Sequence, residues 1–549
     1  MRSLFAAVPG AVRAIRALGL RGVVERELRR LRDRRDYARW VREDEGRAPA
    51  ATERGAGEPL FSVLMPTHET DPAWLERAVG SVRAQTHGRW ELCIADDAST
   101  RPGLAERLER LAREDGRVRV VRRATRGHIS AASNSALALA RGEYVALLDH
   151  DDELAPTALE EVAAEIARRP DADVVYSDED KLDLRGRRID AYFKPDFSPD
   201  LLLSQNVVSH LGVYRADLVR RAGGFREGLE GAQDHDLALR VLQLSSPDRV
   251  RHVPRVLYHW RTTRHSTSGG LWRKDYAHDA GCRAIADHLA RTGRSARVER
   301  SLYSFYRVRY ALPDPLPPVC VVALEPLTAS LAPPVEIVRA PQGPPATLAS
   351  RLDAAIRGSR GAVVALLGPG CRPGPGWLEE LVSQALRPEV GFVGGQVLTP
   401  SRRVLHAGYL LCLDRDPPVL DAHRGLPAAA PGHFGRALLV QNLSAVGAEC
   451  LAFRREVYEA LGGFDARAFP DGLFDVDLCL RASERGLRVL FTPHASVVRA
   501  GGDDPSWSRL GTPGTREHLH RAWGERLPRD PYWHPALDRR FADFRLRLS

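Results

Sequence analysis

Between residues 60 and 148, short and mostly apolar runs alternate with segments whose apolar residues recur every three or four positions. The runs have the length of buried strands, and the recurring positions have the period of a helix face. The predicted strands are Phe61–Met65, Glu91–Ala95, Val118–Val121 and Tyr144–Leu148. The predicted helices cover residues 74–82, 104–111 and 130–140. This alternation predicts an α/β fold with a parallel, doubly wound sheet.

Polar clusters follow three of the predicted strands. Pro66-Thr67 follows the first strand, Asp96-Asp97 the second, and Asp149-His150-Asp151-Asp152 the fourth. Ligands of doubly wound sheets lie beyond the carboxyl ends of the strands. The sequence therefore predicts that the three clusters meet in one crevice.

The pattern occurs twice. Arg141–Leu148 is matched by Arg360–Leu367, and Asp234–Arg240 is matched in the same order by Asp475–Arg481. A proline-rich segment at 313–318 separates the two copies. We interpret this as a tandem duplication of one domain. The predicted domains are a helical arm with its linker (1–58), a first unit (59–312) and a second unit (313–549).

The aspartates at 149, 151 and 152 are candidates for a cation site. Carboxylates crowded at a strand end repel one another unless they are neutralised, and a hard divalent ion prefers oxygen ligands. The alternative is a helix N-cap or an exposed acidic turn. For Asp96 and Asp97 the choice is between hydrogen bonds to a ribose or base and a plain turn.

Two residues further along are candidates for chemistry. Asp234 directly precedes a Leu/Ala-rich helix, and a carboxylate there is able to deprotonate an attacking hydroxyl or simply to cap the helix. His259 follows a short predicted strand, Arg255–Tyr258. It is either a nitrogen ligand for the same metal or a structural histidine.

The net charge of +9, from 80 basic and 71 acidic residues, sits almost entirely in one segment. Residues 1–42 hold twelve arginines and four acidic residues, which is +8 of that total. A basic face for nucleic acid on the main domains is therefore not supported, and we expect no nucleic-acid partner. The basic segment is either a helix on an anionic membrane surface or a solvated helix packed on its own domain.

The seven cysteines are scattered and never form a CxxC pair, which disfavours a disulfide framework or a zinc cage. They favour a reducing compartment. No apolar run approaches the length needed to span a bilayer, and we expect no cleaved signal peptide. The sequence has no P-loop, GxGxxG or G-x-S-x-G motif. We expect a cytoplasmic protein, with membrane contact through residues 1–42 as a hypothesis.

Taken together, these motifs resemble the family 2 glycosyltransferases with a GT-A fold. The resemblance rests on the three strand-end clusters and on stretches similar to a bacterial subgroup that acts on cell-surface polysaccharides such as O-antigen. These stretches are Tyr176–Lys181, Phe193–Pro195, Glu230–Asp234 and Val253–Arg261. The second unit resembles the same family through His406–Gly408 and Asp475–Arg481. The resemblance implies two tandem GT-A domains of the nucleotide-diphospho-sugar transferase, Rossmann-like type.

The resemblance also implies an inverting, metal-dependent sugar transfer from a nucleotide-diphosphate sugar to a glycan or lipid-linked acceptor. Asp234 would be the general base. Mg²⁺ or Mn²⁺ would be held by Asp149, Asp151 and His259. The residues implied to bind the nucleotide sugar are Pro66, Thr67, Glu69, Asp96, Asp97, Asn134 and Asp149.

The second unit departs from the family pattern. Gly368-Pro369-Gly370 stands where the first unit has Asp149-His150-Asp151. Without those carboxylates we expect the second unit to be inactive toward a donor. Two alternatives to a transferase are a non-catalytic glycan-binding or scaffold protein and a sugar-nucleotide nucleotidyltransferase. The retained aspartates of the first unit argue against the scaffold, and the lack of a Gly-rich loop with a basic residue at Met65–Asp71 argues against the nucleotidyltransferase.

Overall fold

A computed structural model of the chain describes residue 25 and residues 27–43, 58–262, 275–326, 335–341, 347–413, 416, 418–500, 511–526 and 529–548. The first unit contains a large sheet and a small hairpin. Its strands are β1 (Phe61–Thr67), β2 (Trp90–Asp96), β3 (Val118–Arg122), β4 (Tyr144–Leu147), β5 (Glu153–Leu154), β6 (Val174–Leu182), β7 (Arg188–Tyr192), β8 (Gly212–Arg215), β9 (Val250–Arg261), β10 (Ala296–Arg300) and β11 (Tyr306–Tyr310).

Helices cover both faces of this sheet. After α1 (27–43) come α2 (Pro72–Arg83), α3 (Leu104–Glu114), α4 (His128–Leu139), α5 (Ala158–Arg168), α6 (Pro199–Leu202), α7 (Ala216–Arg221), α8 (Gln233–Leu242) and α9 (Asp275–Arg291). All seven residues of β1 are buried. Val63 and Met65 pack toward α2 and α3, whereas Leu64 packs toward α4. Burial on both faces explains the nearly continuous apolar run that predicted this strand.

The large sheet is mixed, which corrects the prediction of a wholly parallel one. Its strand order is β3-β2-β1-β4-β8-β6-β9-β5, with β7 paired to β6. The first four strands in the chain pair in parallel, as predicted. Strand β8 then runs antiparallel between β4 and β6. With only four residues, β8 is too short for periodicity to reveal it. The strand predicted at Arg255–Tyr258 is part of the twelve-residue β9.

The second unit repeats this topology. Its strands are β12 (Val319–Ala323), β13 (Val335–Arg339), β14 (Val363–Leu367), β15 (Cys371–Pro373), β16 (Val390–Leu398), β17 (Val404–His406), β18 (Tyr409–Leu411), β19 (Val419–Asp421), β20 (Gln441–Asn442), β21 (Cys450–Arg454) and β22 (Arg488–Arg499). Its helices are α10 (Leu348–Gly358), α11 (Trp377–Ala385), α12 (Arg455–Ala460), α13 (Phe474–Glu484) and α14 (Pro513–Trp523).

The order β13-β12-β14-β21-β16-β22-β15 reproduces β2-β1-β4-β8-β6-β9-β5 strand for strand. Within the described residues, the second unit has no strand that corresponds to β3. Two sheets of one topology in sequence support the tandem duplication. The residue bounds given above for the predicted domains stay a prediction.

Helix α1 is held inside the protein at one end. Tyr37 and Trp40 are buried, and the Tyr37 hydroxyl donates to Asp180 Oδ2 at 2.5 Å. The surrounding apolar residues come from both units and are Phe193, Val256, Leu410, Trp533 and Phe544. For residues 27–43 the packed-helix interpretation therefore holds. Residues 1–24 and 26, the rest of the basic segment, lie outside the described residues.

None of the helices in the described ranges combines the length and apolar character needed to cross a bilayer. All seven cysteines are free thiols.

A buried ionic joint links the two units. The Arg387 guanidinium donates to Asp200 Oδ1 at 2.6 Å, and Asn442 Nδ2 donates to Asp200 Oδ2 at 2.9 Å. The side chains of Asp200 and Arg387 are 2% and 5% exposed. Burial alone would raise the pKa of Asp200, but Arg387 and Arg488 hold this pKa below its usual value. The Asp200 carboxylate is therefore compensated only while the units stay together, whereas Arg387 has a second partner, Glu389, in its own unit.

We expect Arg387→Met to lower the free energy of unfolding by about 3–5 kcal/mol, because it leaves the Asp200 carboxylate buried without its main cationic partner. Urea denaturation monitored by circular dichroism measures the loss. The matched control is Arg521→Met, since Arg521 and its partner Glu517 are 71% and 72% exposed, and it should cost less than about 1 kcal/mol. Equal losses in the two variants would contradict this role for Arg387.

Candidate active site in the first unit

A cleft of about 690 Å³ opens at the carboxyl ends of β1 and β4. Of the predicted site residues, Pro66, Thr67, Asp97, Asp149 and Asp234 line it. The parallel pairing of β1 with β2 and β4 brings the strand ends to one edge of the sheet. The predicted crevice therefore exists, and three strand-end clusters contribute to it.

Asp97 joins two loops at one end of the cleft. Its Oδ1 accepts hydrogen bonds of 2.9 Å from Arg123 Nε and from the backbone N–H of Gly127. Gly127 directly precedes α4, and His128 and Arg126 also line the cleft. This end therefore combines a carboxylate, basic side chains and the positive end of a helix dipole, which suits a ligand with both hydroxyls and phosphates.

Three predicted nucleotide-binding residues are used in packing the surrounding loops. Glu69 Oε1 accepts from the backbone N–H and hydroxyl of Thr100, and these bonds lower the pKa of Glu69. Asp96 is fully buried beside Arg122. Asn134 exchanges two 2.8 Å hydrogen bonds with the backbone of Phe225. None of the three is among the residues that line the cleft.

Asp149 lies at the end of β4 in a buried acidic cluster. Its backbone N–H donates to the Tyr258 hydroxyl at 3.2 Å, and that hydroxyl donates to Asp152 Oδ2 at 2.6 Å. Burial raises the pKa of Asp149, and the charges of Asp151 and Asp234 also raise it, although His210 and His150 act in the opposite direction. A buried carboxylate beside like charges is stabilised when a cation joins the site.

His210 is the main cleft residue that sequence reasoning missed. Its Nδ1 lies 2.7 Å from Glu179 Oε2, and its ring stacks on Tyr258 with centroids 4.6 Å apart. Burial alone would lower the pKa of His210, but Glu179, with Asp149 and Asp152 nearby, raises it to about 9. The sequence signal that could have identified His210 is the polar pair Ser209-His210 just before β8. This short strand was itself not predicted.

Asp234 stands at the first turn of α8, facing the cleft. Its Oδ2 accepts from Asn206 Nδ2 at 2.9 Å and from Ser209 Oγ at 2.5 Å. The chain reaches α8 through Gly231, whose φ is +85° and where a Cβ would lie 2.6 Å from the Ala277 Cβ. Asp234 is thus fixed by neutral donors rather than consumed as a helix cap, because no side chain caps the start of α8.

The remaining predicted metal ligands lie apart from the cleft lining. His259 Nδ1 is 2.6 Å from Asp180 Oδ1, in the same network as Tyr37 and Arg188. Asp151 is half-buried beside Asp149 in sequence, and its backbone carbonyl accepts from Arg261 Nε at 2.8 Å. The structure brings Asp149 and Asp151 together but gives His259 a carboxylate partner of its own.

Asp178, His252 and His534 form a separate group of potential metal ligands at the joint between the units. His252 Nε2 lies 2.9 Å from Asp178 Oδ1, and His534 Nε2 lies 2.7 Å from Asp178 Oδ2. The backbone N–H of Ala536 donates to His534 Nδ1 at 3.0 Å. The Nδ1 of His534 is thus an acceptor, which leaves Nε2 to face Asp178, yet among the described residues neither this Nε2 nor Asp178 Oδ2 has a hydrogen-bond partner.

The corresponding edge of the second unit is occupied by its own side chains. Glu325, at the end of β12, accepts a 2.9 Å hydrogen bond from the backbone N–H of Gly370. Asp475, the counterpart of Asp234, is fully buried and accepts from the backbone N–H groups of Ala448 and Val476. Asp477 accepts from Arg481 and from the Trp523 indole. These carboxylates are engaged in packing.

Comparison with known proteins finds a match for each unit. The family model described as "Glycosyl transferase family 2" matches residues 62–221, and "Glycosyltransferase like family 2" matches residues 332–523. The chain is 37% identical over 546 residues to "Uncharacterized protein y4gI" of Sinorhizobium fredii, covering 91% of this chain and 60% of that protein. It is 36% identical over 507 residues to "O-antigen biosynthesis protein RfbC" of Myxococcus xanthus, covering 84% of this chain and 39% of that protein.

This chain thus spans 60% and 39% of the lengths of those two curated relatives. Among solved structures, S. aureus TarS 1-349 in complex with UDP-GlcNAc has a TM-score of 0.35 and 20% identity, covering 42% of this chain and 66% of that one.

The ion pair of His210 and Glu179 predicts a pH-dependent stability. Since the pKa of His210 is raised to about 9 by folding, its contribution is complete below about pH 6.5, the unfolded value. We expect on the order of 3 kcal/mol of that contribution to be lost as the pH rises through 9.

Urea denaturation of wild type and His210→Gln at pH 6 and pH 9.5, with EDTA present, measures this difference. The stability advantage of the wild type should be present at pH 6 and absent at pH 9.5. His520→Gln, at an exposed position, should retain the wild-type dependence. An advantage of equal size at both pH values would show that His210 is not charged in the folded protein.

Proposed function

The chain belongs to the family 2 glycosyltransferases, and we propose that its first unit transfers a sugar from a nucleotide-diphosphate sugar to a hydroxyl of a growing cell-surface glycan or lipid-linked acceptor. The observation that carries this proposal is that Asp97, Asp149 and Asp234 line one cleft. A scaffold protein would not need three carboxylates that face the same cleft. The name of the Myxococcus relative supports a role in surface polysaccharide assembly.

The donor occupies the end of the cleft nearest α4. Asp97 and Thr67 face that end and offer acceptors for ribose or base donors, with Pro66 beside them. Arg126, His128 and Lys181 also line the cleft. Basic side chains and the amino end of a helix complement the charge of a diphosphate. Glu69, Asp96 and Asn134 support this end by fixing its loops.

Asp234 acts as the general base. It removes the proton of the acceptor hydroxyl as the oxygen attacks the anomeric carbon. The bond between that carbon and the phosphate oxygen breaks, and the nucleoside diphosphate leaves with the electron pair. Attack opposite the leaving group inverts the anomeric centre. Asn206 and Ser209 hold the Asp234 carboxylate in position, which limits the reorientation needed before proton transfer.

Asp149 and Asp151 would hold Mg²⁺ or Mn²⁺. Their oxygens are the ligand type that hard divalent ions prefer, and the raised pKa of Asp149 marks a carboxylate that lacks full neutralisation. When bound, such an ion acts as a Lewis acid toward the diphosphate. His259 does not line the cleft, and on that ground we leave it out of the ligand set, although the contact of its Nδ1 with Asp180 is also the arrangement that holds the Nε2 of a ligating histidine in place.

The second unit is donor-inactive in this proposal. Its strand ends carry Gly368 and Gly370 in place of two carboxylates, and Asp475 is buried in backbone hydrogen bonds. We place the reaction in the cytoplasm, in keeping with the seven free thiols. Contact of the basic residues 1–42 with a membrane surface stays a hypothesis.

We expect Asp234→Asn to reduce sugar transfer by about 10²–10⁴-fold, because the amide cannot accept the proton of the acceptor hydroxyl. The assay measures nucleoside diphosphate release from a panel of nucleotide sugars with Mn²⁺. The matched control is Asp475→Asn in the full-length chain, which should keep at least half of the wild-type rate. A comparable loss in both variants would contradict the assignment of the reaction to the first unit.

We expect Asp149→Asn to weaken binding of Mn²⁺, because it removes a carboxylate ligand from the site. Titration of Mn²⁺ followed by electron paramagnetic resonance measures the dissociation constant without turnover. His259→Gln should leave this constant close to the wild-type value, because His259 does not line the cleft. If His259→Gln lost as much affinity for Mn²⁺ as Asp149→Asn, His259 would be a metal ligand.

A further inference from the structure

The second unit contributes an aromatic side chain to the cleft of the first. Phe434 belongs to the short helical segment His433–Leu438 and lines the same cleft as Asp149 and Asp234. Its side chain is half-buried. A domain whose own strand ends lack the donor carboxylates therefore supplies part of the wall of its neighbour's site.

The backbone holds Phe434 in a conformation that is unusual for this residue type. Phe434 has φ +44° and ψ +42°, and Gly435 follows with φ +84°. A Cβ at Gly435 would lie 2.3 Å from the Phe305 ring of the first unit. A left-handed conformation at a bulky residue costs energy and persists only where the surroundings enforce it.

The surroundings that enforce it come from several parts of the chain. His433 Nε2 lies 3.0 Å from the carbonyl oxygen of Phe193 in the first unit. The buried Arg436 donates to Gln441 Oε1 at 2.7 Å and to the carbonyl oxygen of Tyr532 at 3.0 Å. The segment is therefore fixed on both sides of Phe434, so that its ring has a defined place in the cleft.

Phe434 stacks on Tyr192 of the first unit. The ring centroids are 4.1 Å apart and the planes differ by 5°. The Tyr192 hydroxyl accepts a 2.6 Å hydrogen bond from Gln205 Nε2. The next residue, Asn206, donates to Asp234 at 2.9 Å. This short chain of contacts puts the aromatic pair on the same side of the cleft as the base, which is the side from which the acceptor hydroxyl approaches.

We propose that Phe434, backed by the buried ring of Tyr192, binds a sugar ring of the acceptor glycan and positions its hydroxyl at Asp234. A sugar ring has an apolar face of C–H groups that packs against an aromatic ring while its hydroxyls stay free for hydrogen bonds. Phe434 is a positioning residue in this account. The inference rests on the proposed function and adds the acceptor class and a role for the second unit.

The test uses the full-length protein and membranes from a producing strain that lacks this gene, since those membranes carry the acceptor. Incorporation of radiolabel from UDP-glucose, UDP-galactose, UDP-N-acetylglucosamine and GDP-mannose is measured against membrane concentration. We expect Phe434→Ala to raise the apparent KM for the membrane acceptor about tenfold. The KM for the nucleotide sugar should stay within about twofold.

Phe434→Leu covers the case in which the alanine variant unfolds, because it keeps the apolar volume but not the flat ring face. It should show the same split between the two KM values. Phe434→Tyr should restore the wild-type acceptor KM. The matched control is Phe541→Ala, since Phe541 is a 38% exposed aromatic that does not line the cleft.

An unchanged acceptor KM in Phe434→Leu, with wild-type incorporation intact, would overturn the inference and leave the proposed function standing. Equal rises in both KM values would show that Phe434 only supports the fold of the cleft. No incorporation by the wild type from any of the four donors would count against the proposed function itself, and the inference would fall with it.

Discussion

The constraint on which this structure depends is the need to compensate carboxylates that folding removes from water. Most of them meet this need with a charged partner from the same chain. Asp97 has Arg123, Glu179 has His210, and Asp200 has Arg387. Asp149 and Asp234 differ, because the first keeps a raised pKa beside other acids and the second is held by neutral donors. The chemistry is assigned to these two aspartates, and neither of them forms a direct ion pair within the described part of the chain.

The predictable part of the fold follows from burial on both faces of a sheet. Strand β1 was predicted to within two residues because its side chains face apolar neighbours on either side. The mixed character of the sheet was not predictable, since the short strand β8 has no period to detect. Asp97 and Asp149 were found because they follow apolar runs, and Asp234 because it precedes a Leu/Ala-rich helix within a stretch that resembles the family. His210 and Phe434 were not, because their importance comes from partners that are remote in sequence.

The two units have the same sheet topology but different roles. Strand for strand their sheets have the same order. In the described part of the second unit, Glu325 accepts from Gly370 and Asp475 accepts from the backbone at the edge that holds a cleft in the first unit. The second unit contributes to the first in two other places. Phe434 lines the cleft of the first unit, and Arg387 is the buried partner of Asp200. The second copy of the domain therefore lines the site of the first copy and stabilises it.

The packing of helix α1 has a consequence for synthesis on the ribosome. Tyr37 and Trp40 emerge early, but Trp533 and Phe544, which cover them, are among the last residues described. At about 5–20 residues per second, roughly 25 to 100 seconds of translation separate the two. Phe193, which contacts both rings, emerges earlier, but the apolar cluster that buries this arginine-rich helix stays incomplete throughout that interval. The final burial of this helix can begin only after Trp533 and Phe544 have been synthesised.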